Sequence, residues 1–180
     1  MLEWAEVRPL IARIVGPHLT NLGFHNPGRA MWRFRPVFVD VVGFECRRLG
    51  LFQLEFGCGL RRFLPNNPAP WECPFRTQPA HSFGWGGAGW SFCDSEAAQV
   101  RVLQELAPRV VAAAQVWFGQ FVTVAGAIAA LEQNEFSGPR NVALCAPGSV
   151  AFRQVMAELR TVASSPEPEA SADGGRDPGA

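Results

Sequence analysis

Two strand-like runs, residues 37–46 and 51–60, are separated by only four residues, which suits a β-hairpin. Side chains alternate between the two faces of a strand, so the register decides which residues share a face. With Glu45 opposite Gln53, one face carries Val39, Val41, Gly43, Glu45, Gln53, Glu55, Gly57 and Gly59, and the other carries Phe38, Val42, Phe44, Leu54, Phe56 and Leu60. The pattern predicts an antiparallel sheet with an apolar packed face and a polar face that is shallow and open.

The segment before this hairpin predicts a helix and a further strand. Apolar residues recur at helical spacing over residues 3–22, and Gly23 is suited to end that helix with Phe24 folding back onto its last turn. Residues 30–35 alternate, with Trp32 and Phe34 on one side and Met31, Arg33 and Arg35 on the other. We expect this strand to extend the sheet, which should contain three to five strands in all.

Residues 63–93 are rich in Pro, Gly and aromatic side chains and have no regular period. They predict a long loop anchored by aromatics, with a short strand possible near residues 90–92. Gly84, Gly86 and Gly89 match the dinucleotide pattern G-x-G-x-x-G, but the flanking strand and helix that this site needs are missing from the sequence pattern. We therefore expect a lid between tryptophans rather than a nucleotide site.

The C-terminal part predicts helices that cover the packed face. Asp94 and Ser95 are suited to begin a helix that continues past Pro108, and a break near Gly119 predicts a helical pair. Residues 110–131 reach membrane-spanning length, but their alanines and glutamines favour a buried helix pair. A short extended run at 142–144 and a last helix at 149–162 follow, and the polar residues 164–180 predict a disordered tail. We expect residues 1–163 to form one α+β domain.

Composition limits the function classes. The 16 basic and 16 acidic residues balance, so we expect neither nucleic acid nor a membrane as partner. The five cysteines form no C-x-x-C pair, and reduced thiols in the cytoplasm are the simplest interpretation, with no cofactor and no metal. A zinc site formed by Cys58, Cys73, His81 and Cys93 is a less favoured alternative. No export signal is recognisable in the first residues.

The polar face is the strongest candidate site. Glu45, Gln53 and Glu55 should lie together there, and Arg33 and Arg35 could approach them from the first strand. Paired carboxylates can perform acid–base chemistry. A solvated face of Arg–Glu pairs is the simpler interpretation. The glycines would leave a trough beside the acids, which could admit a ligand or one of the protein's own helices.

The order of a helix, Leu22-Gly23-Phe24, Gly28-Arg29, Trp32-Arg33, a Val-rich strand and the run from Phe52 to Gly57 resembles a bacterial family catalogued as domain of unknown function 4304. The resemblance covers about residues 5–60. It implies a small bacterial α+β protein and no established activity. Glu45 stands where that family often has Gln.

These observations favour a non-catalytic, cytoplasmic bacterial protein that binds another protein, as an accessory or immunity-like module, over an enzyme. The candidate contacts are the polar strand face and the loop tryptophans Trp71, Trp85 and Trp90. The rival hypothesis is a small-ligand-binding protein or enzyme that uses Glu45, Glu55 and Arg33 under a lid of residues 81–92. Self-association through an open strand edge is a third hypothesis.

Overall fold

The fold is built around a five-stranded antiparallel sheet. We analysed a computed structural model that describes residues 1–26, 29–47, 50–82, 85, 89–132 and 150–164. The strands are β1 (Ala30–Phe34), β2 (Phe38–Arg47), β3 (Leu51–Leu60), β4 (Phe75–Thr77) and β5 (Trp90–Ser91). Their order is β1-β2-β3-β4, and β5 pairs with the beginning of β3. The predicted α+β class and antiparallel sheet are confirmed.

The register of the central hairpin is the one expected. Glu45 lies opposite Gln53 and Gly43 lies opposite Glu55. The packed face buries Phe44, Leu54, Phe56 and their neighbours in the main hydrophobic core. The two-face division of β2 and β3 is therefore correct.

The N-terminal helix is broken in two, which corrects the single helix expected over residues 3–22. α1 spans Trp4–Ile14 and α2 spans Gly16–Thr20. Proline at position 17 has no N–H to donate to the carbonyl four residues earlier, and its ring crowds that carbonyl. The predicted end is correct: Gly23 has φ +84° and Phe24 donates its N–H to the Leu19 carbonyl at 3.2 Å.

In the described part of the chain, three helices follow the sheet. α4 (Glu96–Gly119) begins after Ser95, whose hydroxyl accepts the Ala98 N–H, and α5 (Val124–Glu132) and α6 (Val150–Ser164) complete the set. The ring of Phe118 packs on that of Phe56, with their centroids 5.3 Å apart, so α4 covers the packed face as expected. Within the described ranges no single helix is long and apolar enough to cross a membrane, and α4 with α5 passes that test only as a pair bent by 93°.

The region expected to be one long loop contains regular structure. It holds β4, the short helix α3 (Pro79–Ser82), a 3₁₀ turn at Pro70–Glu72 and the end of another at Arg61–Phe63, and β5 confirms the strand expected near residue 90. β4 has only three residues, too few to show a period. The extended run at 142–144, most of the expected tail (165–180) and most of the glycine-rich stretch at 84–88 lie outside the described residues.

Candidate functional site

The polar face of the sheet is covered by the chain itself. A Cβ atom on Gly57 would lie 2.9 Å from Cα of Pro70, and one on Gly59 would lie 2.7 Å from Cδ1 of Leu64. The glycines thus allow the segment from Leu64 to Pro74 to lie directly on β2 and β3. The expectation of a shallow, open face is therefore wrong over the middle of the hairpin, where the trough holds the 3₁₀ turn Pro70–Glu72 instead of a ligand.

Glu45, Gln53 and Glu55 do come together, and Arg47 joins them. Arg47 donates from Nε to Gln53 Oε1 at 2.7 Å and from Nη2 to Glu55 Oε1 at 2.7 Å, and the same Nη2 lies 3.1 Å from Glu45 Oε2. Gln78 adds a hydrogen bond to Glu55. Arg47 was expected in the turn, but β2 continues through it, and its position two residues after Glu45 puts it on the same face.

Burial raises the pKa of one acid in this cluster. The pKa of Glu45 is raised, first because its carboxylate is largely removed from water and second because the charge of Glu55 is close. Arg47 and Arg29 act in the opposite direction. The carboxylates are held in ion pairs with an arginine, an arrangement that favours a structural role over acid–base chemistry.

Arg33 and Arg35 do not approach these acids, which corrects that expectation. Arg33 lies opposite Asp40 in the register, and Asp40 lies opposite Cys58 on the packed face. Arg33 Nη2 is 2.8 Å from Asp40 Oδ2, and Arg35 Nη2 is 2.6 Å from Asp40 Oδ1. The side chain of Asp40 is completely buried.

This second cluster joins the sheet to the helices. Arg33 also donates to the Leu22 carbonyl at 3.1 Å, just before the glycine that ends α2, and Arg35 donates to the Phe121 carbonyl at 2.6 Å, just after α4. Sequence reasoning missed Asp40. The sequence did indicate its position, because Asp40 lies two residues from both Phe38 and Val42, which puts its side chain on the apolar side of β2.

An open groove remains at one end of the polar face. We call it the Trp71 groove, and it has a volume of about 400 Å³. Its walls include Arg8 of α1, Arg29 and Trp32 at the start of the sheet, Glu45 of β2, and Pro70 and Trp71 of the 3₁₀ turn. The Arg29 guanidinium lies over the Trp71 ring, 5.5 Å from its centroid, and Trp71 is 42% exposed.

The three candidate tryptophans occupy two different places. Trp71 lines the groove, whereas Trp90 stacks on Phe52 at 5.6 Å and Trp85 lies 6.0 Å from Trp90. Phe52 belongs to the packed face, so Trp85 and Trp90 lie on the side of the sheet opposite Glu45 and Glu55. These described parts of the 81–92 loop do not form the expected lid over the acids.

Buried thiols account for two of the cysteines. Cys58 and Cys73 are free and fully buried, and desolvation raises the pKa of each thiol. In the part of the chain that the structure describes, no three His, Cys, Asp or Glu side chains are grouped as a metal site would need. The metal alternative has no support from these residues.

The outer edge of the sheet at β1 is partly closed. Trp32 and His25 exchange two backbone hydrogen bonds, with N···O distances of 2.7 and 3.1 Å. A strand from a second copy would have to displace His25 to pair along the middle of β1. Edge pairing remains a hypothesis with less free edge than the sequence suggested.

Comparison of the chain with protein-family models, with curated proteins and with solved structures found no match. The resemblance to the family of unknown function stays a prediction.

Proposed function

We propose that this protein is a non-catalytic binding module, a cytoplasmic bacterial accessory or immunity-like protein, that recognises another protein through the Trp71 groove. The observation that carries the proposal is the exposed Trp71 ring beside an open groove, on a face whose middle the chain itself covers. Tryptophan and arginine at the centre of a concave surface are the residues that most often dominate binding energy at interfaces.

The backbone around Trp71 is held in place, which favours recognition by a preformed surface. Arg76 donates to the Trp71 carbonyl at 2.9 Å, and Glu72 accepts the Ala69 N–H at 2.6 Å. The Trp32 indole donates to the Pro68 carbonyl at 2.7 Å. A rigid site loses little conformational entropy when a partner binds.

The state of the acids supports binding rather than catalysis. A general acid or base needs a carboxyl group that reaches the substrate. Glu55 accepts hydrogen bonds from Arg47 and Gln78, and its side chain is only 10% exposed. The free, buried thiols of Cys58 and Cys73 are typical of a reducing compartment, which agrees with the proposed location.

The test is affinity capture from a lysate of the source organism, followed by titration calorimetry with the purified captured protein. The bait is the full chain as wild type, as Trp71→Ala, and as the matched control Phe63→Ala. Phe63 is 51% exposed and lies outside the groove, so its loss removes a similar exposed ring. Circular dichroism establishes that each variant is folded.

We expect a stoichiometric partner that the wild type and Phe63→Ala bind and that Trp71→Ala binds at least about tenfold more weakly, as for an interface hot spot. Equal binding by all three baits would contradict the role of the groove. Failure of the wild type to retain any protein would contradict the proposed function itself.

A further inference from the structure

The Trp71 groove holds more cationic donors than its acids use. Arg29 has its only ion pair within the described residues at 4.0 Å, to Glu45 Oε1, which is too long for a hydrogen bond, and its side chain is 59% exposed. Arg8, also on the wall, is exposed and has no ion pair with any described residue. The donors of both guanidinium groups are therefore available to a ligand.

Charge balance points the same way. The residues that line the groove include two arginines, Arg8 and Arg29, and one acid, Glu45. The Glu45 carboxylate already contacts Arg47 at 3.1 Å. The lining therefore carries two positive charges and one negative charge, so a ligand with a carboxylate complements the groove and a basic ligand does not.

The remaining walls are apolar and flat. Trp71 presents an exposed ring, and the Trp32 indole N–H is already used by Pro68, so Trp32 contributes mainly a ring face. Pro70 closes the floor above Gly43, where a Cβ atom would lie 2.5 Å from its Cγ. Such walls suit an apolar or proline side chain next to the carboxylate.

We propose that the groove binds an extended segment of the partner protein that carries an acidic side chain, with its carboxylate held by Arg8 and Arg29 and an adjacent apolar side chain against Trp71. This inference rests on the proposed function and names the chemistry of the partner. Arginine forks match carboxylates in geometry, and such charge-assisted hydrogen bonds are stronger than neutral ones.

The experiment selects ligands from a phage library of random 12-residue peptides on the immobilised full chain. Synthetic copies of the recovered peptides are then measured by fluorescence anisotropy against the wild type, Arg8→Gln, Arg29→Gln, Trp71→Ala and the control Arg101→Gln. Arg101 is an exposed arginine of α4 outside the groove. A second selection uses Arg8→Glu/Arg29→Glu, which reverses the charge of the donors.

We expect peptides with Asp or Glu beside an apolar residue, bound roughly 10- to 100-fold more weakly by Arg29→Gln and unchanged by Arg101→Gln. The charge-reversed variant should select basic peptides instead. Peptides that need Trp71 but carry no acid would overturn the carboxylate inference and leave the proposed function standing. A selection that yields no peptide sensitive to Trp71→Ala would contradict both.

Discussion

Replacing Asp40 with asparagine should be among the most damaging single changes in this protein. The Asp40 carboxylate is completely buried and lies 2.8 Å from Arg33 and 2.6 Å from Arg35. Breaking a buried ion pair from one side costs about 3–5 kcal/mol, because the remaining charge has no partner and little water. We expect a cost of about 3 kcal/mol, at the lower end of that range.

The lower end follows from what the arginines keep. Their side chains are 26% and 18% exposed, and each retains a hydrogen bond to a backbone carbonyl, Leu22 for Arg33 and Phe121 for Arg35. For a chain of this size about 1 kcal/mol corresponds to roughly 2–4 °C in Tm, so the expected fall is about 6–12 °C.

Urea unfolding followed by tryptophan fluorescence measures this loss as a shift of the midpoint at constant m value. The control is Asp94→Asn, because Asp94 is 97% exposed and its removal should leave the midpoint unchanged. A free energy of unfolding for Asp40→Asn within about 0.5 kcal/mol of wild type would refute the reasoning, since that is the range of ordinary surface changes.

A triple variant tests whether the unpaired buried charges account for the lost stability. Asp40→Leu with Arg33→Met and Arg35→Met removes all the charges at once, so no uncompensated ion stays buried. We expect it to recover most of the stability that Asp40→Asn loses. If it is no more stable than Asp40→Asn, losing the arginine hydrogen bonds to the Leu22 and Phe121 carbonyls destabilises the triple variant as much as the unpaired charge destabilises Asp40→Asn.

Two further predictions concern the polar face. Gly57→Ala should cost about 2 kcal/mol by overpacking, because its Cβ would lie 2.8 Å from Cys73 Sγ and 2.9 Å from Pro70 Cα. Gly119→Ala, with no atom within 4 Å of its Cβ, should instead stabilise α4. Urea unfolding should give changes of opposite sign in the free energy of unfolding, and a neutral Gly57→Ala would contradict this expectation. Because the pKa of Glu45 is raised above 4.5, the folded protein binds more protons than the unfolded chain at pH values between 4.5 and the raised pKa, so stability should fall as pH rises through this window. Glu45→Gln should remove this part of the pH dependence of the free energy of unfolding, measured from acid to neutral pH. An unchanged pH dependence would contradict this prediction.

The strand pairing could be predicted from the sequence because side-chain alternation has a period of two. Placing Glu45 opposite Gln53 fixes all the remaining pairs of β2 and β3, and the structure has this register. The end of the N-terminal helical segment could be predicted equally well, because glycine readily takes the positive φ that closes a helix, as Gly23 does here. Both features depend on local chemistry within a few residues.

The candidate site was harder to predict from the sequence because it depends on long-range packing. The segment from Leu64 to Pro74 has no period of its own, and its position on Gly57 and Gly59 follows from the close approach that these glycines permit. The face of Arg33 depended on the pairing of β1 with β2, which alternation within β1 alone does not fix. The sequence therefore indicated the polar residues but not which of them lie together.

The two arginine–acid clusters explain why function should be sought at Arg29 rather than at the acids. On the packed face, two arginines surround one buried carboxylate, and backbone carbonyls of Leu22 and Phe121 take further donors. On the polar face, Arg47 takes both carboxylates, which leaves the donors of Arg29 beside an open groove. Exposed donors without strong partners are the groups that gain most when a ligand arrives, because they need not break an internal ion pair first. Recognition by this fold should therefore depend on Arg8 and Arg29, which no acid of the described residues contacts at hydrogen-bond distance.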